Sequence, residues 1–237
     1  MADLSKISAL TFDVGGTVFD WRGTVEEELR RLASEQSADL DVSQFATDWR
    51  VGMFRMLGKV RSGELPWMNA DQLHRTVLED VLTKHSAIEL SDSARDDLNN
   101  VWHRLNAWPD APAAIEKLRS RYTVVVLTVL SWSIAVDCSK HNGISWDGIL
   151  SCEFLGHYKP DAEAYLKGVS LLRLEPQQAM MVAAHAGDLK AAMDAGLHSA
   201  YVHRDGESPG LFEEGAPAAE WDVNTRDFDE LGRQLLA

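Results

Sequence analysis

The chain has 237 residues, of which 45% are hydrophobic and 25% charged, and its formal net charge is −14. That is the composition of a globular chain long enough to bury a core of its own. The acidic balance argues against nucleic acid, whose phosphates demand basic surface, and against anionic membranes; an anionic small molecule would need a local cluster of positive charge.

Cys138 and Cys152 have no paired spacing and read as free thiols of a reducing cytosol. The opening "MADLSKISAL" lacks the apolar stretch of a secretory signal, and the longest apolar run, "VVVLTVL" at 124–130, falls far short of a membrane span. That run instead predicts a buried strand.

In chain order, Ile7 to Phe12 predicts a first strand, ended by Asp13 and by Gly15 and Gly16. Residues 24–36 switch to helical spacing, with Val25, Leu29 and Leu32 on one face and Thr24 and Glu27 as a capping-box start. Phe45, Trp49, Met53, Met56 and Val60 predict a second helix from Ser43, which "SGELPW" breaks. Asn69 opens a third helix through Leu82, and Asp92 a fourth through Leu105. Residues 20–108 therefore read as four helices and no strand. After "AWPDAP" the pattern alternates. Helices are expected at 110–121, 131–142, 160–172 and 187–195, with strands at 123–129, 148–151, 180–184 and 199–203. The tail past Gly206 reads as a loop and one last helix. Alternating strands and helices predict an α/β fold with an open, doubly wound parallel sheet. The division expected is a core of 1–19 and 109–237, with an all-helical insertion at 20–108.

In such a sheet, ligands sit beyond the carboxyl ends of the strands. Asp13 follows the first strand, Thr128 and Val129 the second, Lys159 the third, and His185 and Asp188 the fourth. Two carboxylates, a lysine, hydroxyls and an imidazole thus gather from distant parts of the chain. Gly15 and Gly16 let backbone N–H groups approach close behind Asp13 and leave room in front of it. The other histidines show no metal-ligand spacing.

This order of residues resembles the haloacid dehalogenase superfamily over nearly the whole chain, with a Rossmann-like core and an inserted cap. The resemblance makes Asp13 a nucleophile and aligns Thr128, Lys159 and Asp188 with the later motifs. Most of that superfamily transfers phosphoryl groups with Mg²⁺, using a second aspartate two residues after the nucleophile. Here that position is Gly15. In "AGDLKAAMDAG", Asp188 falls on the second acidic position, and Ala183-Ala184 on the first. The sequence is more similar to the L-2-haloacid dehalogenase branch, which uses no metal and no cofactor. "DWR" at 48–50 matches that branch's cap arginine, Arg50. "FDWR", "WHRLNAWPD", "GHYKPDAEAYL" and "MMVAAHAGDLKAA" resemble a subset in which a histidine, here His185, replaces an asparagine and some members release fluoride.

The resemblance implies hydrolysis of short 2-haloalkanoic acids, such as haloacetates, to 2-hydroxy acids. Asp13 attacks C2, halide leaves toward Arg50 and His185, and Asp188 activates water against the aspartyl ester. Lys159 holds Asp13 ionised and Thr17 fixes its second oxygen. Val14, Gly15, Val129 and Tyr165 join Arg50 and Thr128 around the substrate. Two departures stand out: Gly15 replaces an aromatic, and Val129 in "LTVLS" replaces the asparagine of "LSNG". Fluoroacetate as substrate, a Mg²⁺-dependent phosphatase and a scaffold without turnover remain open alternatives. Family members are often dimers, and nothing in this sequence fixes an interface.

Overall fold

The computed structural model describes residues 4–207 and 221–237. A 3₁₀ turn (Leu4–Lys6) leads into β1 (Ala9–Phe12), and the short β2 (Phe19–Asp20) runs into α1 (Trp21–Glu35). Helices α2 (Val42–Arg61), α3 (Ala70–Lys84) and α4 (Asp92–Asn99) follow, then a 3₁₀ stretch (Asn100–Arg104) and β3 (Asn106–Ala107). Next come α5 (Ala111–Arg119), β4 (Thr123–Thr128), α6 (Trp132–His141), β5 (Gly148–Ser151), α7 (Cys152–Leu155) and α8 (Ala162–Leu171). The chain continues through β6 (Ala179–Ala183), α9 (Ala186–Asp194), β7 (His198–Val202), β8 (Val223–Thr225) and α10 (Phe228–Leu235).

Six strands form one sheet in the order β5-β4-β1-β6-β7-β8, and every pairing is parallel. Phe12 stands opposite Val126 on one side and Val182 on the other. The chain builds outward from β1 through β4 and β5, then returns to lay β6, β7 and β8 on the opposite side. The end of β1 is therefore a topological switch point, where a crevice opens beyond the strand ends.

Both faces of the sheet are covered, which is why its strands read as unbroken apolar runs. Val124 and Val126 join Phe12, Ile115, Leu118 and Phe228 in one cluster. Their neighbours Val125 and Leu127 point the other way, into a cluster with Tyr165, Val169 and Leu189. Each such side chain, fully buried, contributes about 1.5–3 kcal/mol.

Helices α1 to α4 pack largely on one another. Trp49 donates its indole N–H to the His74 carbonyl at 2.8 Å and meets the Trp102 ring edge-on. Gly52 lets α2 and α3 close up, since a Cβ there would lie 2.5 Å from Cγ1 of Val77.

Several sequence expectations are corrected. The first helix is capped by Asp20, whose side chain accepts from Gly23 N–H, and not by Thr24 with Glu27. Thr24 is on the helix already, donating to the Asp20 carbonyl and accepting from Asn106 N–H. The stretch 20–108 is not free of strand, because β2 and β3 pair antiparallel where the helical block leaves and rejoins the sheet. The fourth helix gives way to 3₁₀ geometry after Asn99. The tail holds β8 ahead of its helix; the part of the expected loop at 208–220 lies outside the described residues.

Candidate active site

The loop after β1 is tied down through its backbone. Val18 and Phe19 N–H both bond to the Val14 carbonyl, and Gly16 N–H bonds to that of Phe19. Trp108 donates its indole N–H to Gly16 O at 2.9 Å, and Arg204 donates Nε–H to Thr17 O at 2.9 Å while pairing with Asp110. A rigid turn of this kind holds Asp13 at the crevice floor, only 6% exposed.

The side-chain partners of Asp13 come from three different loops. Thr17 donates its hydroxyl to Oδ2 at 2.7 Å and accepts from Ala184 N–H at 3.0 Å. Lys159 donates Nζ–H to Oδ1 at 3.0 Å, and Nδ1 of His185 lies 3.0 Å from Oδ2. Burial alone would raise the Asp13 carboxyl, but Lys159, His185 and Thr17 outweigh it and hold the group well below the usual carboxylate range.

Lys159 also donates to Oδ2 of Asp188 at 2.6 Å, and the Tyr165 hydroxyl donates to Oδ1 at 2.6 Å. Burial raises the Asp188 carboxyl, an effect Lys159 only partly offsets. Despite its own burial, Lys159 is pushed up by the two carboxylates and stays an ammonium. Burial and the neighbouring Asp188 push the Tyr165 phenol up, so it stays a donor.

Arg50 reaches the same crevice from α2, 2% exposed, with the faces of Phe54, Trp21 and Trp102 around its guanidinium. Nη2 makes a 3.4 Å contact with the Gly15 carbonyl, while Nε and Nη1 have no hydrogen-bond partner among the described residues. Burial lowers its pKa, with Glu207 and Asp13 pulling it back up, and a guanidinium remains charged regardless. Two buried donors without acceptors are expensive to keep, which suits a site whose ligand is an anion.

A cavity of about 270 Å³ lies between these groups, lined by Asp13, Gly15, Arg50, Thr128, Val129, Lys159, Tyr165, His185 and Asp188, with Phe54, Leu57 and Leu130 as apolar wall. Thr128 accepts from Leu130 N–H at 3.0 Å. Gly187 adds open space, since a Cβ there would meet nothing within 4 Å. Two of the expected site residues do not line it. Thr17 works from behind Asp13, and the Val14 side chain is buried in the apolar core, leaving only its backbone toward the turn. Phe54, Leu57 and Leu130 were not singled out from the sequence because apolar residues at helical or strand spacing look like core. Glu207 was missed as well, although it also lies past a strand end; its Oε1 is 3.2 Å from Nε2 of His185.

The donor set does not suit Mg²⁺. The Lys159 ammonium lies between Asp13 and Asp188, both Asp188 oxygens accept hydrogen bonds, and Gly15 offers no side chain. Among the described residues no three His, Cys, Asp or Glu side chains gather as a metal site. No helix there is long and apolar enough to cross a membrane.

The haloacid dehalogenase-like hydrolase family model matches residues 7–196. Among curated proteins, (S)-2-haloacid dehalogenase 4A of Burkholderia cepacia is 28% identical over 218 residues, 87% of each chain. The crystal structure of the L-2-haloacid dehalogenase PA0810 superposes with a TM-score of 0.90 at 35% identity, covering 97% of this chain and 99% of that one. The defluorinating L-2-haloacid dehalogenase Rha0230 gives a TM-score of 0.91 at 33% identity, over 98% and 96%. Fold, site and relatives agree: the chain belongs to the haloacid dehalogenase-like hydrolases and, within them, to the L-2-haloacid dehalogenases.

Proposed function

We propose that this protein hydrolyses the carbon–halogen bond of short 2-haloalkanoic acids, haloacetates included, through an ester on Asp13. The observation that carries this reading is the pairing of an ionised, buried Asp13 with the two unpartnered Arg50 donors across one cavity.

Oδ1 of Asp13 is held by one donor and Oδ2 by two. Oδ1 is then the better nucleophile, and its attack on C2 displaces halide with inversion. The Lys159 contact at 3.0 Å is worth about 5 kcal/mol of attraction at an effective dielectric near 20. That keeps a carboxylate charged in a site that must also accept an anionic substrate. Negative charge builds on the halogen only as the bond breaks, and the Arg50 donors meet it there. Halide leaves without needing a proton, so Gly15 is no handicap where a phosphatase would want an acid.

Hydrolysis follows at the ester carbonyl. Asp188, raised by burial and anchored by the Tyr165 hydroxyl, takes the proton of the attacking water. Oδ2 of Asp13 becomes the carbonyl oxygen, and the Thr17 hydroxyl already donates to it. The C2 stereocentre is untouched in this step, so (S)-2-haloacids give (R)-2-hydroxy acids. The test is halide release from chloroacetate, bromoacetate and fluoroacetate in excess chelator. Release unaffected by the chelator is expected, whereas a phosphatase activity abolished by it, with no halide formed, would replace this reading.

A further inference from the structure

Glu207 lies beyond β7 with its side chain 3% exposed. Its Oε1 accepts from the Trp21 indole N–H at 2.8 Å and stands 3.2 Å from Nε2 of His185. On the far side of the ring, Nδ1 is 3.0 Å from Oδ2 of Asp13. Gly16, at φ +99°, makes room for this arrangement, because a Cβ there would lie 2.4 Å from Oε1 of Glu207. The imidazole is spanned by two carboxylates, and it satisfies both only with an N–H on each nitrogen.

We propose that Glu207 is a positioning residue that holds His185 through Nε2 and so directs Nδ1–H at Oδ2 of Asp13. The inference rests on Asp13 being the nucleophile. Oδ2 is then the oxygen on which negative charge grows when water attacks the ester, and the His185 N–H joins the Thr17 hydroxyl there before the charge appears. The proton stays on His185 throughout, since Asp188 accepts the one from water.

The charge count agrees with the geometry. Asp13, Asp188 and Glu207 are three carboxylates; Lys159 and Arg50 balance two, and a protonated His185 balances the third. Burial by itself would lower His185, but its hydrogen bonds to Asp13 and Glu207 push it up to about 9. The surrounding charged groups act mainly through those two partners. Arg50 on α2 attracts both Glu207 and Asp13, Asp20 ahead of α1 repels Glu207, Lys159 holds the other oxygen of Asp13, and Asp188 lies on the helix that His185 begins.

Glu207→Gln is the informative substitution, because it keeps an acceptor oxygen for Trp21 and His185 but removes the charge. The His185 ring, followed by nitrogen-15 NMR, is expected to lose its proton at a pH lower by about one unit or more. The alkaline limb of kcat/KM for 2-chloropropionate moves down with it, and KM at neutral pH stays within about twofold. Glu207→Ala, which removes the acceptor as well, lowers kcat about tenfold across the profile. In a His185→Asn background, Glu207→Ala adds nothing further. An unmoved His185 titration in Glu207→Gln, or an undiminished loss of kcat in the His185→Asn background, overturns the proposal while wild-type halide release still stands. The titration reads the contact without turnover. A shifted His185 in a protein that releases no halide therefore supports the Glu207 contact and counts against the dehalogenase reading.

Discussion

Lys159 is the side chain on which the two carboxylates depend, since it donates to both. Without it, burial dominates at Asp13 and the carboxyl rises. A group held low stays ionised as pH falls until its own folded pKa is reached, so losing the cation moves the acid limb of activity upward. Lys159→Met is expected to lower kcat/KM about 10²–10³-fold at neutral pH and to shift that limb toward neutrality. A pH–rate profile with its acid limb unmoved would contradict the role. Arg50 makes a second residue-scale prediction. Arg50→Lys keeps the charge but loses the fork of donors, so kcat is expected to fall about 10²-fold. The loss is expected to be greater for a fluorinated than for a brominated substrate, because fluoride is the stronger acceptor; rates measured on matched haloacetates check it, and equal losses count against Arg50 as the halide partner.

At the scale of elements, α2 has to bring Arg50 to the cavity and still pack on α3. Gly52 marks the contact. Gly52→Ala gains about 1 kcal/mol of helix propensity but forces a Cβ against Val77, and overpacking of this kind costs about 1–3 kcal/mol. Net destabilisation is expected in thermal melts, with recovery when Val77→Ala is added; a more stable single variant would contradict it. The same scale shows what a sequence can and cannot say. The strands β1, β4 and β6 are legible because short apolar runs are local signals, and so are the residues at their ends. Ribbon β2–β3 and strand β8 run only two and three residues, too few for any period to register. The start of α1 went to Asp20 because a cap competes with its neighbours for the same N–H groups, and Thr24 lost to a residue four positions earlier. Arg50 was expected at the site only through family resemblance. Its aromatic surround and two unpartnered donors depend on Trp21 and Trp102, far away in the chain. Glu207 follows a strand end, but its role depends on contact with a tryptophan 186 residues away.

Over the whole molecule, one apolar cluster runs from the sheet into the helical block. It joins Phe12, Val126 and Val182 to Trp21, Trp49, Leu78 and Val81 without a break. The eight tryptophans are spread over both halves of the chain. Unfolding followed by tryptophan fluorescence and by far-ultraviolet circular dichroism is therefore expected to give coincident, single transitions, and separated midpoints would contradict this continuity. A net charge of −14 surrounds a cavity proposed to receive an anion. Within it, Arg50, Lys159 and His185 offset the carboxylates of Asp13, Asp188 and Glu207, and the chemistry proposed for Asp13 depends on that balance. The most direct measurement is mass spectrometry of the Asp13 peptide after acid quench during turnover of (S)-2-chloropropionate, on wild type and Asp13→Asn. The account predicts a 1-carboxyethyl ester on Asp13 in wild type and neither adduct nor chloride release in Asp13→Asn. Chloride released equally by both proteins, with Asp13 unmodified throughout, would contradict it.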